Sequence, residues 1–281
     1  MKVLAKGLSP MLKRLLALTL CVFSSANALE LKGHLTQGGL VTGQLTNVKQ
    51  VKLNDTNLAI TPGGHFVFGF GRDEALTHTL SWQTSDGQWH KQPLIITKRD
   101  YDIDKITGVE KKYVSPPKSV LERTRNEAKA VKEARNTFSY REDFLSPLYR
   151  PATGRISGVY GSQRYFNGTP KRPHFGLDIA NKTGTPIYAP VSGKVVFANN
   201  DLYYSGGTLI LDHGYGVTTT YIHLHKLHVK AGQEVKLGDK IAEIGATGRV
   251  TGPHLDWRLN WGQVRLDPAL LMQVELASKQ K

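Results

Sequence analysis

The sequence predicts a mainly β protein, with a small N-terminal β-sandwich-like domain, one connecting helix and a second all-β domain. Two stretches of short apolar or alternating runs are broken by Gly, Pro, Asn and Asp turn signals. Between them, Lys118 to about Arg141 contains no Gly or Pro and is rich in Glu, Lys, Arg and Ala. The 281 residues suffice for two buried cores.

Residues 1–28 read as a cleaved secretory signal peptide. Lys2, Lys6, Lys13 and Arg14 precede an apolar run from Leu15 to Phe23, and Ala26-Asn-Ala28 fits the cleavage site. The apolar run is too short for a membrane span, and no later run is long enough either. Residues 29–105 form the first domain, with strands expected at Leu31–Thr36, Leu40–Leu45, Val51–Ile60, His65–Phe70, Thr77–Gln83 and Trp89–Thr97. Phe66, Phe68 and Phe70 alternate and should line one face of a half-buried strand. Residues 106–149 are a linker containing the helix. Ser119 with Glu122 fits a capping box, and Ala128, Val131, Ala134 and Phe138 form a thin apolar stripe. Residues 150–276 return to short strands, followed by a helix over Pro268–Leu276.

Composition narrows the function classes. The only cysteine, Cys21, lies in the leader, and bulky Leu20 before it argues against lipidation, so the mature chain has no disulfide. The formal charge is +14, and setting aside the leader's four basic residues leaves about +10. Such a secreted chain suits an anionic partner, but no basic helix with interleaved aromatics or zinc-finger spacing points to nucleic acid.

The chemistry-bearing residues fall in three short segments: His174-Phe-Gly-Leu-Asp178, Tyr221-Ile-His223 and Gly252-Pro-His254-Leu-Asp256. Residues i and i+2 of a strand share a face, so His254 and Asp256 should point the same way. Imidazoles and carboxylates on rigid strands suit a zinc ion, which takes three protein ligands and a water in catalytic sites. Of these three histidines and two carboxylates, two histidines would remain for proton transfer and charge stabilisation.

In order and spacing these segments resemble the lysostaphin/LytM family of zinc metalloendopeptidases, which cut peptide cross-links in bacterial cell walls. Ser157-Gly-Val-Tyr-Gly161, Gly184-Thr-Pro186, Ala189-Pro190, Gly193 and Gly245-Ala-Thr-Gly248 extend the likeness over about residues 150–270. The resemblance implies a duplicated-hairpin, barrel-sandwich peptidase domain holding one zinc ion on His174, Asp178 and Asp256. It further implies that His223 and His254 are the catalytic pair beside the attacking water and the developing oxyanion. The family's last motif is G-P-H-x-H, whereas this chain carries Asp256 in the final place. Two carboxylates on one divalent cation would give a formally neutral set and a weaker Lewis acid.

Tyr221, two residues before His223, is either a substrate-binding hydroxyl or a core aromatic. His225 is the first substitute should Asp256 not bind metal. His213 and His228 read as structural or exposed, and Trp257 and Trp261 as packing residues on the face opposite Asp256. The expected function is a zinc-dependent endopeptidase hydrolysing peptide cross-links of peptidoglycan in a Gram-negative periplasm. The alternatives are an inactive LytM-type regulator that activates a cell-wall amidase, and a wall-binding module. No regulatory partner can be named from the sequence. The resemblance also implies that residues 29–145 partly cover the zinc groove.

Overall fold

The computed structural model describes residues 29–108 and 117–273; the expected signal peptide lies outside the described residues. The first domain is two sheets over one core. Glu30–Gly33, Leu40–Gln44 and His65–Gly69 form one sheet, and Thr56–Leu58, Val48–Leu53, Thr77–Thr84 and Trp89–Ile95 the other. The single strand expected over Val51–Ile60 is a hairpin, turned at Asn54, whose φ of 52° is in the left-handed region that asparagine tolerates. Phe66, Phe68 and Phe70 are fully buried between the sheets. Their strand is not half-buried, however, because Val67 on its other face packs with Leu40, Phe144, Val217, Leu259 and Leu266 across the domain junction.

The helix is shorter than its composition predicts. It runs Leu121–Arg135 after a 3-10 turn at Lys118–Val120, and Val120 occupies the cap position with no side-chain hydrogen bond. The expected capping box does not form because Ser119 lies inside that turn. Beyond Arg135 the chain extends along the large C-terminal sheet. Tyr215 N–H donates to Ser139 O at 2.9 Å and Ser139 Oγ donates to Asp212 Oδ2 at 2.6 Å. These bonds replace those a longer helix would make, and they leave Phe138 against Tyr215 rather than on a helical stripe.

The second domain is built on a ten-stranded sheet. Its central order is Arg155–Gly158, Leu177–Ala180, His254–Trp261, Val217–Leu227, Gly206–Gly214, Gly193–Leu202 and Glu234–Val235. One face carries the core, in which Leu177, Ile179, Leu209, Tyr221, Leu255 and Trp257 are fully or almost fully buried. The opposite face is polar. Of the C-terminal helix expected over Pro268–Leu276, the described residues form only a 3-10 turn, Pro268–Leu270, capped by Asp267 Oδ1 accepting from Ala269 N–H at 2.9 Å, and residues 274–276 lie outside the described residues. Met272–Gln273 then pairs in parallel with Leu148–Tyr149. Two pieces of the N-terminal half reach the polar face. Ile103–Ile106 pairs in parallel with Gln163–Phe166, and the helix lies along Gly193–Leu202 and Gly206–Gly214.

Candidate metal centre and groove

Strand pairing brings the separated motifs together. Asp178 stands directly opposite Asp256 in the antiparallel pair Leu177–Ala180 and His254–Trp261, so two carboxylates 78 positions apart share one face. His174 reaches the same point from the preceding loop, with Nε2 at 3.0 Å from Asp178 Oδ1 and 3.3 Å from Asp256 Oδ2. All three are buried. Glycine is needed beside them, since a Cβ on Gly158 would strike the Asp178 carboxylate and one on Gly176 that of Asp256.

The bonding around His174 sets its tautomer. Its Nδ1 faces the Val159 carbonyl at 3.1 Å; a carbonyl can only accept, so Nδ1 carries the proton. The Nε2 lone pair then points at two carboxylate oxygens, and neither Nε2 nor Asp178 Oδ1 has a satisfied hydrogen bond. Three buried acceptors converging on one point call for a cation, and one imidazole with two carboxylates is a donor set that fits zinc. Without a metal a proton takes that place. Burial works against charge on His174, but Asp256 and Asp178 outweigh it and raise its pKa.

Neither carboxylate faces the centre uncompensated. Arg258 grips Asp256 with both ends of its fork, Nε to Oδ1 at 2.9 Å and Nη2 to Oδ2 at 2.6 Å. Arg164 Nη2 donates to Asp178 Oδ2 at 2.7 Å. Burial opposes ionisation of Asp256, yet Arg258 and then His174 hold its pKa well below the usual carboxylate range. The formally neutral metal–ligand set expected from sequence would thus be flanked by two guanidinium groups, one on each carboxylate, which add positive charge around it. Sequence reading missed both arginines. Arg258 could have been found as the residue two beyond Asp256 on the same strand face.

His223 and His254 flank the cluster with ring centroids 4.9 Å apart. His223 Nδ1 faces Thr247 O and His254 Nδ1 faces Gly252 O, each at 2.9 Å, so in both rings Nε2 is left as the acceptor. Burial first, and then the neighbouring His254, push the His223 pKa down to about 4, which keeps its imidazole neutral at ordinary pH. His223 has φ of 68° at a bulge where the pairing register shifts. That twist turns its side chain out of the strand's alternation.

Tyr221 consequently does not share the face of His223. It is fully buried in the core, with its hydroxyl 2.9 Å from Thr219 Oγ1, so the substrate-binding role suggested by its spacing is corrected to packing. His225 is exposed and outside the cluster, and His213 is buried between Ser192 O and Thr219 Oγ1. Trp257 packs in the core.

A groove of about 370 Å³ opens beside the cluster, lined by Ile103–Ile106, Arg164, Phe166, Asp178, His223, Arg249 and His254. The Arg249 guanidinium sits between the rings of Phe166 and Tyr204, 4.8 Å from each centroid.

Comparison with known proteins gives a consistent family. Residues 172–268 match the model of peptidase family M23. The chain is 29% identical over 240 residues to peptidoglycan DD-endopeptidase ShyB of Vibrio cholerae, covering 85% of this chain and 50% of that protein. It is 42% identical over 106 residues to ShyA, a second peptidoglycan DD-endopeptidase of that organism, covering 37% and 24%. The chain thus spans half or less of the length of these curated relatives. A peptidase M23 crystal structure from Pseudomonas aeruginosa superposes with a TM-score of 0.65 at 26% identity, over 85% of this chain and 95% of that one.

Proposed function

We propose that this chain, which carries a peptidase M23 domain of mainly β fold, is a zinc-dependent endopeptidase that hydrolyses peptide cross-links of bacterial peptidoglycan. The observation that carries the reading is the convergence of His174 Nε2 with the Asp178 and Asp256 carboxylates, beside His223 and His254 in an open groove. A zinc ion held by those three residues would polarise the scissile carbonyl and acidify a water.

The chain's own groups supply the rest. The Val159 carbonyl fixes the His174 ring so that Nε2 faces the metal position. Arg258 and Arg164 hold the two carboxylates in place and offset their mutual repulsion. His223, neutral and presenting Nε2, accepts a proton from the attacking water, while His254 lies on the same side and, with a proton on Nε2 as well as Nδ1, would donate to the charge that develops on the carbonyl oxygen. An activator that has lost catalysis has no need of this intact arrangement, and the arrangement favours hydrolysis over the amidase-activator reading. The relatives' DD-endopeptidase names supply the substrate class and favour a periplasmic site of action.

The test is digestion of purified sacculi by the full chain, with metal content measured alongside. About one zinc per chain and release of cross-linked peptides that stops with chelator support the reading. A metal-loaded chain that leaves sacculi intact while stimulating an amidase rejects it in favour of the regulator.

A further inference from the structure

A second cavity, of about 460 Å³, lies on the polar face of the same sheet, roofed by the helix. Its walls collect Arg135 from the end of the helix, Arg172 from the loop before His174, Arg258 beside the metal centre and Arg265 from the Val264–Leu266 strand. Arg258 is paired with Asp256. Among the described residues, Arg135, Arg172 and Arg265 have no ion pair. The one carboxylate in the lining, Glu127, is committed to Arg123 at 2.6 Å and to the Tyr203 N–H at 2.9 Å.

Two buried hydrogen-bonding groups in this lining have no partner. Arg135 is 9% exposed and its Nε bonds to nothing; Thr220 is 3% exposed and its Oγ1 bonds to nothing. Unpaired buried polar groups are costly, and those of a native fold are expected to meet a ligand or an ordered molecule. The charges are under similar strain. Burial first, then neighbouring Arg258 and Arg135, push the Arg265 pKa down to about 9, and burial followed by Arg258 brings Arg135 to about 10. An oxyanion in the cavity would supply the missing acceptors and balance the repelling guanidinium groups.

We propose that this cavity is an anion subsite in which Arg135, Arg265 and Thr220 take a carboxylate of the peptide whose cross-link is cut at the neighbouring centre. The carboxylate assignment rests on the endopeptidase reading; the anion site does not. What ties the cavity to the substrate is continuity, since Arg258 lines the cavity and also holds Asp256. A peptide lying along the polar face past Asp256 would run into it. Free phosphate shares the oxyanion chemistry, and the test separates the two sources.

The experiment measures binding to the metal-free full chain, so that no turnover is needed. Two labelled cross-linked stem peptides are compared by fluorescence anisotropy. One carries a free carboxylate on the cross-linking diamino acid, and the other carries a carboxamide there. The wild-type chain is expected to bind the carboxylate form about tenfold more tightly, the size of one charge-assisted contact. Arg265→Met and Arg135→Met should each erase most of that preference without weakening the carboxamide form. Arg265→Met removes an unpaired charge and should fold with an unchanged or higher Tm; Thr220→Val, a near-isosteric change, gives an independent second reading. Equal wild-type affinity for the two peptides, or a preference that survives Arg265→Met, overturns the proposal. So does Arg265-dependent stabilisation by inorganic phosphate without any peptide preference, which would assign the cavity to a phosphate-bearing ligand. A preference that holds in a chain unable to cut sacculi would instead sink the endopeptidase reading and leave the anion site standing.

Discussion

The two faces of the Val217–Leu227 and His254–Trp261 strands draw opposite chemistry from alternate residues. Tyr221, Leu255, Trp257 and Leu259 face one way and are almost completely buried. Thr220, His254, Asp256 and Arg258 face the other way, toward the candidate metal centre and the grooves beside it. The apolar face is stabilised by contact area, which adds up whatever its neighbours do. On the polar face, stability depends on pairing, because a buried carboxylate is tolerated only with its guanidinium. Removing one group should therefore act locally on the first face and orphan a charge on the second.

The largest expected effect is on the apolar face. Trp257→Ala should cost about 4 kcal/mol, read from urea unfolding, because a fully buried indole leaves a cavity that the sheet cannot close. A loss below about 1 kcal/mol would show that this face is less well packed than its burial implies. On the polar face, Asp256→Ala should cost about 3 kcal/mol by stranding Arg258, and it should release bound zinc. Asp256→His, which the family pattern favours, should strand the same guanidinium and lose stability too. Adding Arg258→Met to either change should recover most of the loss. Double variants no more stable than the singles would dismiss the paired-charge account.

The contrast also has a pH dependence. Buried His223 has a folded pKa of about 4, below its unfolded value of about 6.5, so the unfolded chain takes up the proton first. Its contribution is fully present above about pH 6.5 and is lost as pH falls toward 4. Buried His213 is depressed in the same direction, while His174 in the metal-free chain is raised and contributes the opposite sign. Metal-free His223→Gln should therefore lose about 2 kcal/mol less than wild type between pH 7.5 and pH 5. Parallel pH curves for the two chains would place His223 in contact with solvent.

Much of the fold and of the site could be read in the sequence where the signal is local. Turn residues marked the strands of both domains, and the spacings of His174, Asp178, His223, His254 and Asp256 marked the candidate cluster. What escaped depends on partners remote in the chain. Asp178 and Asp256 meet only through strand register. Tyr221 and His223 separate because of one left-handed backbone angle that no pattern of period two foresees. The helix stops at Arg135 because Ser139 and Tyr215 offer the following residues other hydrogen bonds, although composition favours helix to Arg141. Arg135 and Arg265 look like ordinary surface charges until folding buries them together.

The smallest expected effect concerns how the helix is tied over the polar face. Arg123 bonds to Glu127 at 2.6 Å and to Asp201 Oδ2 at 3.0 Å, and Asp201 is largely exposed. Exposed ion pairs contribute little, so Arg123→Ala should leave the unfolding midpoint almost unchanged. Turnover should respond more than stability does. If residues 29–145 partly cover the groove, loosening the helix should speed cleavage of soluble cross-linked peptides, which are too small to need anchoring to the wall. The cavity under the helix is where covering would act, and Arg135 ties the two questions together, since it belongs to the helix and lines the proposed anion subsite. A helix that only obstructs predicts faster turnover in Arg123→Ala with unchanged KM for the carboxylate peptide. A helix that also presents Arg135 to substrate predicts that the gain is offset by a higher KM. Unchanged turnover and unchanged KM would leave the helix as a brace between the domains.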